Sequence, residues 1–273
     1  MSSSVLDTST GDGLFFELPE ASPSSFAQWR ALTGRIVRTM VTKGELVVAV
    51  ITPLVFTAGF YLPLRFVMKF QGINYAQFVM PIIVLQTMAF TMMSNAQMAA
   101  FESVTGLNTR MQTMPVGSLV PFAARICAGL VRSVTSMTAA LIFGHIIGFR
   151  FVNGWGQTIL FVVFALAVGT VLAIGADGLG SLTKSPESLS QALTLPTLIF
   201  GMLSTGFVPE RSFPEWIRPF ARNQPISQFA AALRDMASGG GVTWDVFWVP
   251  LVWVIGLAVV FIPTAIWASV RRA

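Results

Sequence analysis

One histidine, His145, and one cysteine, Cys127, are the whole stock of imidazole and thiol in this 273-residue chain. A metal centre built from several Cys or His ligands is therefore excluded, and no disulfide can close within the chain. Sequences that build hydrolytic sites are also missing: there is no G-x-S-x-G, no H-E-x-x-H and no G-x-x-x-x-G-K-[ST]. Without the last of these, the chain cannot hydrolyse ATP by the phosphate-loop route, and nucleotide energy would have to come from another polypeptide. No catalytic residue, metal ligand or cofactor-binding residue is assigned. What remains is a small set of charges in unusual places, because Arg125, Arg132 and Asp177 interrupt long apolar stretches. An unpaired charge at mid-span costs about 2.5–3.5 kcal/mol on insertion scales, and less toward a helix end. The chemistry open to these residues is ion pairing. Asp177 can meet Arg125, or Arg132 about two turns deeper, if the third and fourth apolar segments run antiparallel. Gly175, Gly178 and Gly180 beside it leave room for another helix to approach. The alternative places Asp177 at the membrane interface, facing water. For His145 a hydrogen bond between packed helices is a better reading than a proton relay, since no second titratable group lies nearby in sequence.

The elements that must hold these residues follow from the solvent. Hydrophobic residues make up 54% of the chain, charged ones only 11%, and the mean hydropathy is +0.71. Soluble domains carry about a quarter charged residues, so this composition belongs in lipid. Leu46 to Leu64 reads LVVAVITPLVFTAGFYLPL, nineteen positions without a charge. At about 1.5 Å per residue, such a helix crosses a hydrocarbon layer of about 30 Å. The pattern recurs, and spans are expected at 46–64, 78–100, 119–148, 157–180, 189–207 and 244–268. The third contains Gly144 and Gly148 in a small-xxx-small spacing that permits close helix contact.

Ahead of the spans, residues 24–43 have helical periodicity. Phe26, Trp29, Leu32, Ile36, Val37 and Met40 share one half of the wheel, while Arg35 and Arg38 lie opposite. This is the pattern of an amphipathic helix in the membrane interface, with its basic face toward headgroups. Residues 1–23 have no apolar core, so they are expected to be a mobile cytoplasmic tail and not a cleavable signal. Residues 208–241 break the rhythm with Pro209, Pro214, Pro219, Pro225 and the run Gly239 to Gly241. Short helices are expected there over Phe213–Ile217 and Ile226–Met236. The fold class is thus all-α integral membrane, with six transmembrane helices.

An even number of spans puts both termini on one side. With the termini inside, cytoplasmic segments hold Arg30, Arg35, Arg38, Lys43, Arg110, Lys184, Arg271 and Arg272. The outer segments hold Arg65, Lys69, Arg150, Arg211, Arg218, Arg222 and Arg234. The excess is slight, but the basic amphipathic helix also favours the anionic inner leaflet. The net charge of +5 is scattered, which fits interface anchoring and contact with lipids and argues against a nucleic-acid footprint.

Phe101 to Leu119 reads FESVTGLNTRMQTMPVGSL. This segment resembles the loop between the second and third spans of ATP-binding-cassette type-2 permeases, with an acidic residue, a Gly and an Arg before Pro-Val. Glu102, Gly106, Arg110, Pro115 and Val116 match that pattern in order and spacing. Family members are often more charged where Ser103, Val104 and Thr105 stand here. The stretch FVPERSFPEWIRPFARNQPISQFAAALR, Phe207 to Arg234, resembles the daunorubicin-resistance-type permeases of actinobacteria, including the mycobacterial B-type subunit. The likeness runs from the amphipathic helix onward, so residues 24–273 form one permease domain.

The resemblance implies half of an exporter. Two permeases, similar or identical, pair with two cassette ATPase subunits, which carry the ATP and Mg. The loop from Glu102 to Ser118 becomes a cytoplasmic coupling helix on the ATPase surface, and the segment after the fifth span becomes short outer helices capping the cavity. The cargo class is a hydrophobic or amphipathic compound, an anthracycline drug or a cell-envelope lipid. Arg110 is then an ATPase contact; its plain alternative is a solvated charge. Asn223, Gln224 and Pro225 are outer-gate candidates, although Asn and Pro also suit an ordinary helix start. A secondary transporter or channel without ATPase is the main rival, yet no inverted repeat is evident. A membrane-embedded enzyme would need a convergent acid, base or metal cluster that the residues do not supply.

Overall fold

The computed structural model describes residues 24–70, 72, 74–106, 117, 119–183 and 185–271, and among them the secondary structure is helical, with no strand. Helix α1 runs Ser25–Thr42, and Ser24 caps it by accepting from the Ala27 amide at 3.3 Å. Its apolar side buries Ile36 and Met40 on Ala124 and Ala128, whereas Phe26 stays exposed. The amphipathic helix therefore lies against the bundle along part of its length.

Helix α2 (Glu45–Phe56) passes through a π turn at Thr57–Tyr61 into α3 (Leu62–Phe70). Pro53 and Pro63 each remove a helix donor here, and such widened turns are how a long helix absorbs the missing bonds. Helix α4 (Tyr75–Val104) is the buried axis of the fold, packed by α2, by α5 (Val120–Ile147), by α6 (Gly154–Leu182) and by α7 (Pro186–Met202). After α7 come a 3₁₀ turn at Glu210–Ser212, α8 (Arg218–Asn223), α9 (Pro225–Ala237) and α10 (Trp244–Arg271).

Among the described residues, five helical stretches are long and apolar enough to cross a membrane: Glu45–Phe70, Tyr75–Val104, Val120–Ile147, Gly154–Leu182 and Trp244–Ser269. The fifth expected span, 189–207, is instead the 17-residue α7, which stops at Met202. The chain turns there because Ser204 donates its hydroxyl to the Gly201 carbonyl at 2.7 Å and accepts the Gly206 amide at 3.3 Å. The expected helix at Phe213–Ile217 is likewise displaced to Arg218–Asn223. Pro219 sits in the first turn of that helix, where its missing N–H does no harm.

Small residues set the seams. A side chain on Gly180 would run into the Ala96 carbonyl of α4, and one on Gly178 would lie 2.9 Å from the Ala265 Cα of α10. Gly175 faces the Phe261 ring in the same way, so this run joins α6 to two neighbours at once. Helix α5 ends at Gly148, whose φ of +106° lets the Phe149 amide reach back to the Gly144 carbonyl at 2.8 Å. His145 is exposed there, and its imidazole makes no hydrogen bond among the described residues. The helix-packing bond expected of it is replaced by Arg150, whose Nη1 donates to the His145 carbonyl at 2.6 Å.

Candidate functional site

Helix α4 carries Glu102 in its last turn, and Gly106, at φ +67°, turns the chain away in a left-handed conformation suited to glycine. Arg110, Pro115 and Val116 lie outside the described residues. Glu102 does not project outward. Its Oε2 accepts from Arg125 Nη1 at 2.9 Å, and the other edge of the same guanidinium forks onto Asp177, with Nε to Oδ1 at 2.7 Å and Nη2 to Oδ2 at 2.9 Å. Asp177 is 0% exposed, Arg125 4% and Glu102 8%, so Asp177 does not face water. One cation thus sits between two carboxylates, tying the end of α4 to the start of α5 and the end of α6. The planar fork suits a buried bidentate pair, where both oxygens need donors. Ser103 adds a parallel link by donating to the Ser181 carbonyl at 3.2 Å.

Arg132 does not reach Asp177. Two turns along α5, its Nη2 donates to Glu45 Oε2 and its Nη1 to Asn95 Oδ1 at 3.3 Å, joining α2, α4 and α5. Sequence reasoning missed Glu45, because the apolar run begins one residue later and left the acid outside the span. The available signal was its position: an acid in the first turn of a spanning helix interacts favourably with the helix dipole and can reach inward. Arg132 Nε and Asn95 Nδ2 have no hydrogen-bond partner among the described residues. Gly129 makes space for that amide, since a side chain there would overlap Asn95.

At the opposite end, Asn223 is exposed and Pro225 opens α9, while Gln224 is buried. Gln224 Nε2 donates to the Phe200 carbonyl and to Ser227 Oγ, both at 3.2 Å. Residues outside the expected site hold this end of the bundle. Arg234 Nε and Nη2 both donate to the Phe78 carbonyl at 3.2 Å, and Nη2 also reaches the Thr205 and Gly206 carbonyls at 3.4 and 3.3 Å. Its guanidinium lies 3.8 Å from the Phe78 ring centroid. Burial pulls the Arg234 pKa down to about 10, with adjacent Asp235 opposing the shift. Burial pushes the Asp235 carboxyl up, against the pull of Arg234. The helix is also tied by Gln77 Nε2 to the Ala237 carbonyl at 3.0 Å and by Asn153 Nδ2 to the Asp235 carbonyl at 3.0 Å. Replacing Arg234 by Met removes the donor shared by three carbonyls, and thermal unfolding in detergent should show a loss of about 2–3 kcal/mol. Lys should recover only part of it, because it lacks the planar fork. An unchanged midpoint for Arg234→Met would remove the residue from this role.

The chain's likenesses to known proteins bear on these two ends. Residues 60–267 match the family model described as ABC-2 family transporter protein. The doxorubicin resistance ABC transporter permease protein DrrB of Mycobacterium tuberculosis is 35% identical over 272 residues, covering 92% of this chain and 94% of the relative. The probable doxorubicin resistance permease DrrC of the same organism is 32% identical over 169 residues, 62% of this chain and 60% of the relative. The daunorubicin resistance permease DrrB1 of Streptomyces coeruleorubidus is 26% identical over 231 residues, 80% and 77% of the two chains. A family match across most of the chain, together with a relative aligned nearly end to end, makes this protein a multi-pass membrane protein of the ABC-2 transporter family.

Proposed function

We propose that the chain is the permease subunit of an ATP-driven exporter that moves a hydrophobic or amphipathic compound, such as an anthracycline or a cell-envelope lipid, outward across the plasma membrane. The observation that carries this reading is the near-full-length likeness to permeases named for doxorubicin resistance. The missing phosphate loop supports it further: the ATPase, with its ATP and Mg, is a separate cassette subunit. A second permease, similar or identical, completes the transmembrane part, and lipid surrounds it. In this reading α7 is the short fifth of six spans, both termini are cytoplasmic, and α8 and α9 form the outer cap.

The segment that begins at Glu102 and Gly106 and continues through Arg110, Pro115 and Val116 docks on the ATPase. Glu102 is held by Arg125, and Arg125 by Asp177. A displacement of the loop is therefore passed to α5 and α6 through a buried ion pair and not through a free side chain. Coupling of this kind requires two arrangements of the bundle with different affinity for the ATP-bound partner. Asn223, Gln224 and Pro225 lie where the outer cap meets α7, on the release side.

Orientation is testable without knowing the cargo. Single cysteines at Ser9, Ser118 and Ser212, placed one at a time in a Cys127→Ala chain, should react with a membrane-impermeant maleimide on intact cells only at position 212. Labelling at 9 and 118 with protection at 212 would invert the topology.

A further inference from the structure

Helices α4, α6, α7, α9 and α10 line a half-open apolar cavity of about 390 Å³, within the size range of small-molecule sites. Val168, Leu193, Phe200, Phe229 and Phe261 make its walls, and none of its lining residues is charged. Pro225 and Ile226 roof it, so the cavity lies directly beneath the start of the outer helix α9. Two polar side chains reach the lining, and they differ. Thr197 donates to the Leu193 carbonyl at 2.7 Å, which satisfies its hydroxyl within α7. Gln86 is 4% exposed and its amide makes no hydrogen bond among the described residues. Glycine at position 201 preserves its space, because a side chain there would place a Cβ 2.8 Å from Gln86 Oε1. The amide atoms themselves are not sealed off, so an unused donor and acceptor stand open to a molecule in an otherwise apolar cavity, and such groups are tolerated where a ligand completes them.

We propose that this cavity is a ligand site inside a single permease, taking a neutral, flat aromatic compound whose carbonyl or hydroxyl pairs with Gln86. Absence of charge in the lining selects a neutral ligand or the neutral part of an amphiphile. Three phenylalanine rings offer edges and faces to a planar ring system. The amide fixes its orientation, since it is the one polar group in the lining left without a partner. If the ligand is cargo, the inference rests on the exporter reading, and it puts one binding position within one subunit beneath the outer cap.

The test uses the full chain in complex with its partner ATPase in lipid nanodiscs, with tritiated anthraquinone as the probe. Gln86→Leu should weaken anthraquinone binding about tenfold, the loss of one buried hydrogen bond, without lowering the unfolding temperature. Gly201→Ala should weaken it too, by pushing the amide out of place. Equal binding by wild type and Gln86→Leu overturns the proposal. So does a fall in unfolding temperature together with lost binding, which would assign Gln86 to the fold. Full competition by decane against both proteins would mean that the cavity holds lipid tails, and would also overturn it. The exporter reading fails separately. Gln86-dependent anthraquinone binding in a complex that exports nothing on ATP addition leaves the site standing, whereas ATP-driven export with unaltered Gln86→Leu binding leaves only the exporter.

Discussion

Arg125→Gln should be the most damaging single charge change in the chain. It leaves Glu102 and Asp177 buried across from each other with no cation between them. Breaking a buried pair from one side costs about 3–5 kcal/mol, because the surviving charge is stranded; here two are stranded. Folded yield after detergent extraction, read by size exclusion, should collapse toward aggregate. Asp177→Asn should be milder, since Glu102 still neutralises the guanidinium. The neutral triple variant Glu102→Gln, Arg125→Gln, Asp177→Asn should recover much of the yield of Arg125→Gln. Normal yield for Arg125→Gln, or a triple variant no better than that single one, would show that the ion pair does not hold these helices.

The second large effect is steric. Gly180→Val drives a branched side chain into the Ala96 carbonyl and the Ala99 methyl of α4, and neither can move without shifting the helix. Overpacking typically costs about 1–3 kcal/mol and more where backbone must give way. We expect Gly180→Val to lower the unfolding midpoint strongly and to weaken assembly. Gly156→Ala on the same helix is the internal control. Nothing lies within 4 Å of that position, and alanine is the better helix former, so it should be neutral or slightly stabilising. Equal midpoints for the two variants would contradict the close α4–α6 seam.

Much of this architecture was readable from the sequence, for a physical reason. Lipid removes water as a partner for the backbone, so a spanning segment must be a helix and must be long and apolar. That made the apolar runs visible and, with the wheel of Phe26 to Met40, the first amphipathic helix. The ends were less legible. Helix α7 stops at Met202 because hydroxyls of Ser204 and Ser227 capture turn amides, a local competition that hydropathy does not register. The displacement of α8 to Arg218 depended on where a proline is tolerated, not on apolar content. At the sites, unlike charges within spans pointed to each other, which is why Arg125 and Asp177 could be considered together. Glu45, Arg234 and Gln86 carry no site assignment from sequence because an end-of-span acid, an arginine between spans and a mid-span amide look ordinary until packing shows what surrounds them. Arg234 in particular is satisfied by carbonyls of Phe78, Thr205 and Gly206, and no sequence pattern encodes such contacts.

The proposed division of labour is that this chain provides the path and another chain provides the nucleotide chemistry. It is tested most directly by doxorubicin uptake into inside-out vesicles prepared with and without a cassette ATPase partner. ATP-dependent uptake is expected only when the ATPase and a permease pair are both present, with no hydrolysis by the purified chain alone. ATP hydrolysis by the isolated chain, or full uptake in vesicles without any cassette ATPase, would contradict it.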